Sequence, residues 1–376
     1  MDFGLYFKSR QGEMVHLLKN VVSRESPSHE KKAVDACSAF VVAEFRKTGA
    51  KITRFPQRKV GDLHLVEFPG SSRPAAEGKI LVLLHIDTVW PVGKIEKMPF
   101  YISGDKVYGP GVLDMKAGVV EALFALKAMH QLNLRPSRKI AVFINSAEEI
   151  SHEASHEMIA RLAKDSSLVL CLEPALPGGG LKTQRKGRLV IRLEVKGKAA
   201  HAGTPEKGIN AVEELISQLV RVQRLATRGV TVSVDLIGGG EKANIVAETA
   251  WAVMDIRFWD SVQKNRILGA FKNLKPVRPG AKFKFIVESL TPPMEKTKAS
   301  VRLFQQARKI ASAMEIDLKE GRTGGGSDAS IASSMGVATL DGLGPDGNGI
   351  HAENEHVLLP SLVQRTALLT ELLLRL

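Results

Sequence analysis

Two cysteines, Cys37 and Cys171, stand among 376 residues. That is too few for a disulfide framework, and a reducing, cytoplasmic setting is expected. Aromatic residues make up only 5 % of the chain. No apolar run is long enough to span a bilayer; the longest, from Ile80 to Val92, is interrupted by His85 and Asp87. The opening MDFGLYFKSRQGEM has no apolar core followed by a small-residue cleavage site, so no secretory signal is expected. Repeats and long low-complexity tracts are absent too. Disordered, collagen-like, coiled-coil and membrane-spanning classes are therefore excluded. What is there, 44 % hydrophobic and 25 % charged residues, is ordinary globular composition. At this length two domains are expected.

The net charge is +13. The basic residues are not gathered in runs and few aromatics lie between them, so they read as solvated surface; neither nucleic acid nor membrane is expected as a partner. The excess is uneven. Residues 185–292 hold 19 of the 53 Lys+Arg but 10 of the 40 Asp+Glu, which marks a basic module.

The first half alternates helical and strand patterns. Lys31 to Lys47 reads as an amphipathic helix. Ile80 to Leu84, Ile140 to Ile144 and Leu168 to Leu172 are short, nearly continuous apolar runs, the pattern of buried parallel strands. Helical patterns at 116–132 and 155–164 separate them, which predicts an α/β domain with a mostly parallel sheet. Near Gln184 the pattern changes to β-α-β-β-α-β, a ferredoxin-like α+β arrangement. After Pro292-Pro293 the first pattern resumes. The expected domains are 1–184 with 293–376, and an inserted module at 185–292.

Each of the three apolar strands ends in ionisable residues: His85 and Asp87, then Glu148 and Glu149, then Glu173. In an open α/β sheet the carboxyl ends of the strands face the ligand crevice. A tight turn, Gly109-Pro110-Gly111, presents Asp114, and a loop near the C-terminus offers His351. Nitrogen and oxygen donors without thiolate suit catalytic zinc, or manganese or cobalt. There are more donors than one ion needs, and two ions about 3.5–4 Å apart account for the surplus.

These segments, His85-Ile86-Asp87, Asp114-Met115-Lys116, Glu148-Glu149, Leu172-Glu173-Pro174 and the His351 loop, resemble the five signature segments of the M20 family of dinuclear zinc peptidases and amidohydrolases, in order and spacing. Gly197 to Gly203 resembles that family's inserted dimerisation-domain motif. Gly109 to Asp114 and Arg322 to Ala329 further resemble its bacterial glutamate carboxypeptidases, the carboxypeptidase G type. The resemblance implies a zinc-exopeptidase-like catalytic domain with an inserted dimerisation, or lid, domain. It implies two zinc ions per subunit, with Asp114 bridging them, His85 and Glu173 completing one site, and Glu149 and His351 the other. Asp87 would hydrogen-bond the distal nitrogen of His85, and Glu148 would take and return the proton of the attacking water. The peptide bond after Asp114 would be cis. His201 would reach across a homodimer to stabilise an oxyanion. Arg257 and Asn244 would hold the substrate's C-terminal carboxylate, and Gly325 would let the backbone approach it. Cys171 and the three tryptophans read as core residues. His152-Glu153-Ala154-Ser155-His156 spells the H-E-x-x-H of another metallopeptidase class, but it falls at a strand-to-helix turn rather than inside a helix.

The expected activity is hydrolysis of the amide bond to a C-terminal amino acid, glutamate above all, in a small-molecule or peptide substrate with a free carboxylate. The alternative is an N-acyl-amino-acid amidohydrolase or a dipeptidase using the same centre.

Overall fold

A computed structural model describes residues 1–71 and 78–376. The main strands, in chain order, are β1 (Lys51–Phe55), β2 (Leu63–Phe68), β3 (Lys79–His85), β4 (Lys139–Asn145), β5 (Leu168–Cys171), β6 (Gly187–Lys196), β7 (Thr231–Gly239), β8 (Thr249–Phe258), β9 (Lys282–Thr291) and β10 (Ala338–Leu340). The chain divides into two compact units. One comprises Met1–Thr183, Lys296–Arg322 and Ser327–Leu376; the other comprises Gln184–Glu295 and Thr323–Gly326.

In the first unit the sheet order is β1-β2-β4-β3-β5-β10. The pairs β4–β3, β3–β5 and β5–β10 are parallel, as the two-faced apolar runs predict; β1–β2 and β2–β4 are antiparallel. The antiparallel edge was not legible in the sequence, because His64 and Glu67 interrupt the apolar pattern of β2. His64 is nonetheless buried, its Nδ1 3.0 Å from the Ser38 hydroxyl. Side chains such as Val82, Leu84, Val142 and Leu170 from the strands meet Val119, Leu126 and Leu369 from helices in one core. The helix Ala117–Gln131 is buried almost all round. It approaches β5 so closely that a Cβ at Gly118 would lie 2.5 Å from the Leu172 carbonyl oxygen.

At one edge of this unit, the buried carboxylate of Asp62 accepts hydrogen bonds from Lys31 Nζ at 2.7 Å, the Gln57 N–H at 2.8 Å and Arg54 Nε at 2.5 Å. Burial alone would raise its pKa; the three donors bring it down to about 2. Because the folded value lies below the unfolded one, the stabilisation is present above about pH 4 and is lost as pH falls through about 2. Lys31 and Arg54 are partly exposed, so screening limits the worth of the cluster. Asp62→Asn is expected to cost about 1–2 kcal/mol in urea unfolding at pH 7, the difference from wild type closing near pH 2. An equal cost at both pH values would mean that Asp62 acts by shape rather than by charge.

In the second unit the order is β7-β8-β6-β9, all antiparallel, the ferredoxin-like arrangement. Alternation along β6 and β8 sends Leu189, Ile191, Met254 and Ile256 to one face, where Leu215 and Val222 from the helix Ala211–Gln223 and Ile267 and Phe271 from Ser261–Lys272 cover them. Asn210 and Asp260 cap those helices with their side chains. The other face carries Arg188, Arg192, Trp251, Asp255 and Arg257 on these strands. The sequence pattern puts 1–184 and 293–376 in the first unit; the second unit also includes Gln184, residues 293–295 and the separate stretch Thr323–Gly326. For that stretch the cause is local: the Lys186 N–H donates to the Thr323 carbonyl at 3.1 Å, and Arg185 Nη1 donates to the carbonyls of Gly325 and Gly326 at 3.2 and 2.7 Å. Among the described residues, no helix is long and apolar enough to cross a membrane.

Candidate metal centre

Parallel register explains why distant residues of the first unit meet. His85 pairs with Asn145 and Leu83 with Cys171, so β3, β4 and β5 end side by side. The residues that follow, Glu148, Glu149 and Glu173, therefore gather round His85. Asp114 enters from the Gly109–Asp114 turn. There Gly111 has φ 68°, and a Cβ on it would lie 2.5 Å from Thr88 Cγ2. The Asp114–Met115 peptide bond is cis.

The two oxygens of Asp114 face two histidines. Oδ1 lies 3.2 Å from His85 Nε2 and Oδ2 lies 3.3 Å from His351 Nε2. Glu173 Oε1 is 3.7 Å from His85 Nε2, and Glu149 Oε1 is 3.2 Å from His351 Nε2. Donor atoms of His85, Asp114 and Glu149 lie within 4.8 Å of one another, as do those of His85, Glu148 and Glu173. Four carboxylates thus converge on two imidazoles. Such an excess of negative charge, made of nitrogen and oxygen donors without thiolate, suits divalent cations.

Residues 81–375 match the family described as Peptidase family M20/M25/M40. The chain belongs to this family. It is 27 % identical over 377 residues to carboxypeptidase G2 of Pseudomonas sp. (strain RS-16), covering 97 % of this chain and 89 % of that one. Among solved structures it resembles the aminopeptidase PepT from Bacillus cereus ATCC 10987, with a TM-score of 0.77, 18 % identity, and coverage of 96 % of this chain and 98 % of that one. It also resembles the YXEP protein of Bacillus subtilis, a dinuclear metal binding peptidase from the M20 family, with a TM-score of 0.72, 14 % identity and 98 % of each chain covered. The fold is that of M20 peptidases: an α/β unit with a mostly parallel sheet, and a second unit inserted in the chain.

In this M20 centre the ionisation of His85, Asp114, Glu148 and His351 follows from their neighbours. Burial alone would lower the pKa of His85, but Asp114 and Asp87 raise it well above the usual imidazole range. Asp114 and Glu149 push His351 up to about 10. Asp114 is held below the ordinary carboxylate range by His351 and His85 despite its burial. Burial and the adjacent Glu173 charge push Glu148 well above that range.

Asp87 does more than contact His85. His85 Nδ1 lies 3.0 Å from the main-chain oxygen of Asp87 and 3.5 Å from its carboxylate. The carboxylate also accepts the N–H groups of Glu148 and Glu149 at 3.1 and 3.2 Å and the Ser28 hydroxyl at 2.7 Å. Asp87 is thus a positioning residue for the Glu148–Glu149 turn as well as for His85. Two further buried groups escaped the sequence reading. Asp328 accepts from Asn145 Nδ2 at 2.7 Å, and Asn145 Oδ1 in turn accepts the Ala147 N–H at 3.0 Å. Glu355 accepts the N–H groups of Gly111, Leu113 and Asp114. Neither has a signal in the local sequence. His152 stands at the N-cap of the helix Glu153–Lys164 and Glu153 to His156 form its first turn, so the H-E-x-x-H string starts the helix rather than lying in its middle, and Glu153 is helical where the sequence pattern puts it before the helix.

The other site residues named from the sequence belong to the second unit. His201 is exposed and its Nδ1 accepts the Gly203 N–H at 2.9 Å. A neutral ring held this way carries its proton on Nε2, a free donor. Asn244 is exposed, and its main-chain oxygen accepts the Ala202 N–H at 2.9 Å. The Arg257 guanidinium is held by Asp255 through Nε at 2.6 Å and Nη2 at 3.1 Å, and Nη1 reaches the Gly324 carbonyl at 3.4 Å. Gly325 lies on the stretch anchored by Arg185.

Proposed function

We propose that this M20 hydrolase is a dinuclear, zinc-dependent exopeptidase that releases a C-terminal amino acid, with glutamate preferred. The observation that carries the reading is Asp114, whose two oxygens face His85 and His351, each backed by one further glutamate. Two recorded likenesses support it: near-full-length similarity to a carboxypeptidase, and a fold shared with a dinuclear metal binding peptidase. His85, Asp114 and Glu173 would hold one ion, and Asp114, Glu149 and His351 the other. When bound, the pair would supply Lewis acidity toward the scissile carbonyl and a water of lowered pKa.

The chain's own groups do the rest. Glu148 takes the proton of the attacking water and returns it to the leaving amine. Asp87 holds the Glu148 main chain while this happens. His201 donates from Nε2 to the developing oxyanion, in a homodimer formed through the inserted unit. Arg257, steadied by Asp255, offers Nη1 to the substrate's main-chain carboxylate, with Asn244 beside it in this role.

The basic surplus of residues 185–292 favours encounter with anionic substrates. For a fixed acyl group, kcat/KM is expected to be about tenfold or more higher for C-terminal glutamate than for leucine, with the advantage shrinking as salt rises. Equal or faster turnover of C-terminal leucine or phenylalanine rejects glutamate preference. Preference for substrates with a free amino terminus rejects the carboxypeptidase reading in favour of a dipeptidase. The dimer has its own test. Mixed His201→Ala and Glu148→Gln subunits should recover activity that neither parent has, and no recovery after proven subunit exchange places His201 outside a shared site.

A further inference from the structure

Glu355 is fully buried, yet it takes no part in the donor set above. Its carboxylate accepts four hydrogen bonds. Oε1 accepts the N–H groups of Leu113 and Asp114 at 2.9 and 3.1 Å; Oε2 accepts the Gly111 N–H and the Trp90 indole N–H, each at 3.0 Å. Burying a carboxylate is costly unless its oxygens are satisfied, and here both are, by groups drawn from distant parts of the chain.

The origins of those donors give the arrangement its meaning. Gly111, Leu113 and Asp114 form the turn that aims the Asp114 carboxylate at the two histidines. Trp90 lies five residues after His85 and three after Asp87. Glu355 itself lies four residues after His351, next to the strand His356–Leu358, which pairs with Lys106–Tyr108 on the way into the Gly109–Asp114 turn. One carboxylate therefore ties together the three segments that carry His85, Asp114 and His351. Because it binds the Asp114 N–H directly, a shift of Glu355 moves the backbone from which the bridging carboxylate projects.

We infer that Glu355 is a positioning residue that preorganises the metal cage, with Asp114 as its main client. The inference rests on the proposed metal-binding reading of the cluster. Preorganisation raises metal affinity because the ligands need not be ordered when the ion arrives, and outer groups of this kind are typically worth about 10–100-fold in affinity. The residue acts through main-chain N–H groups, so the charge and reach of its carboxylate both matter. In Glu355→Gln the amide nitrogen would face two N–H donors and leave them without an acceptor.

The test compares wild type, Glu355→Gln, Glu355→Asp and, as a control, Asp62→Asn, whose cluster shares no residue with the metal centre. Zn2+ affinity is read by competition with a chromophoric chelator, and the visible spectrum is recorded after Co2+ loading. Glu355→Gln is expected to bind Zn2+ about 10–100-fold more weakly and to alter the Co2+ spectrum. Glu355→Asp, which keeps the charge but is one methylene shorter, should fall between it and wild type. Asp62→Asn should lose stability yet keep wild-type affinity and spectrum, which separates positioning from a general effect on the fold. A folded Glu355→Gln variant with wild-type affinity and spectrum overturns the inference. If that variant does not fold, Glu355→Asp decides, and unchanged affinity there overturns it. Failure of wild type itself to bind Zn2+ sinks the metal reading instead, so the two failures are distinguishable.

Discussion

Glu148→Gln is expected to bind metal like wild type and to lose about 10²–10⁴-fold in kcat. The substitution keeps the size of the side chain and removes its ability to carry a proton between water and the leaving amine. The environment supports that role. Glu148 stands beside His85 and Glu173, and Asp87 anchors its main chain. Distance alone does not separate base from ligand, because Glu148 lies within 4.8 Å of donor atoms on both His85 and Glu173. Metal content measured beside the rate makes the separation. If the variant loses metal and keeps its rate per bound ion, Glu148 is a ligand and the assignment falls.

Asp114→Asn should have the largest effect of all. Among the described residues, Asp114 is the one side chain whose two oxygens reach toward both histidines, at 3.2 and 3.3 Å. Replacing one oxygen with an amide nitrogen removes a ligand atom from one half of the centre and the shared charge from both. Both ions should bind far more weakly, and activity should fall to that of the metal-free chain. His351→Ala offers the contrast, since it touches only the half completed by Glu149 and should leave the other ion bound. If Asp114→Asn keeps one tightly bound ion while His351→Ala loses both, the bridging role belongs elsewhere.

Much of the centre is legible because its candidate ligands sit where simple rules place them. The runs at Ile80, Ile140 and Leu168 are apolar on both faces, so they read as buried parallel strands, and the residues after such strands gather at one edge of a sheet. The same logic failed for β2. A buried polar residue, His64, breaks the pattern, and its partner Ser38 is 26 positions away. No sequence pattern marks the Thr323–Gly326 stretch as part of the second unit, because its anchors, Arg185 and Lys186, act through space. Glu355 has no sequence signal for a related reason. In the sequence it is one more acidic residue in the loop after His351, beside Glu353, which is exposed and paired with Lys94. Only the fold shows that one of these acids faces solvent while the other binds four donors more than 200 residues back along the chain. The role of the Asp87 carboxylate was hidden likewise, since its partners are the main-chain N–H groups of Glu148 and Glu149 rather than any residue type that a pattern can specify.

As proposed, one buried carboxylate, Asp114, organises a two-ion hydrolytic centre. Its most direct test is to strip the protein with chelator and titrate it with Zn2+, following bound metal and hydrolysis of an acyl-glutamate together. Two equivalents should bind per chain, with full activity reached only as the second site fills. Full activity at one equivalent with no second ion bound, or activity that survives complete removal of metal, would contradict it.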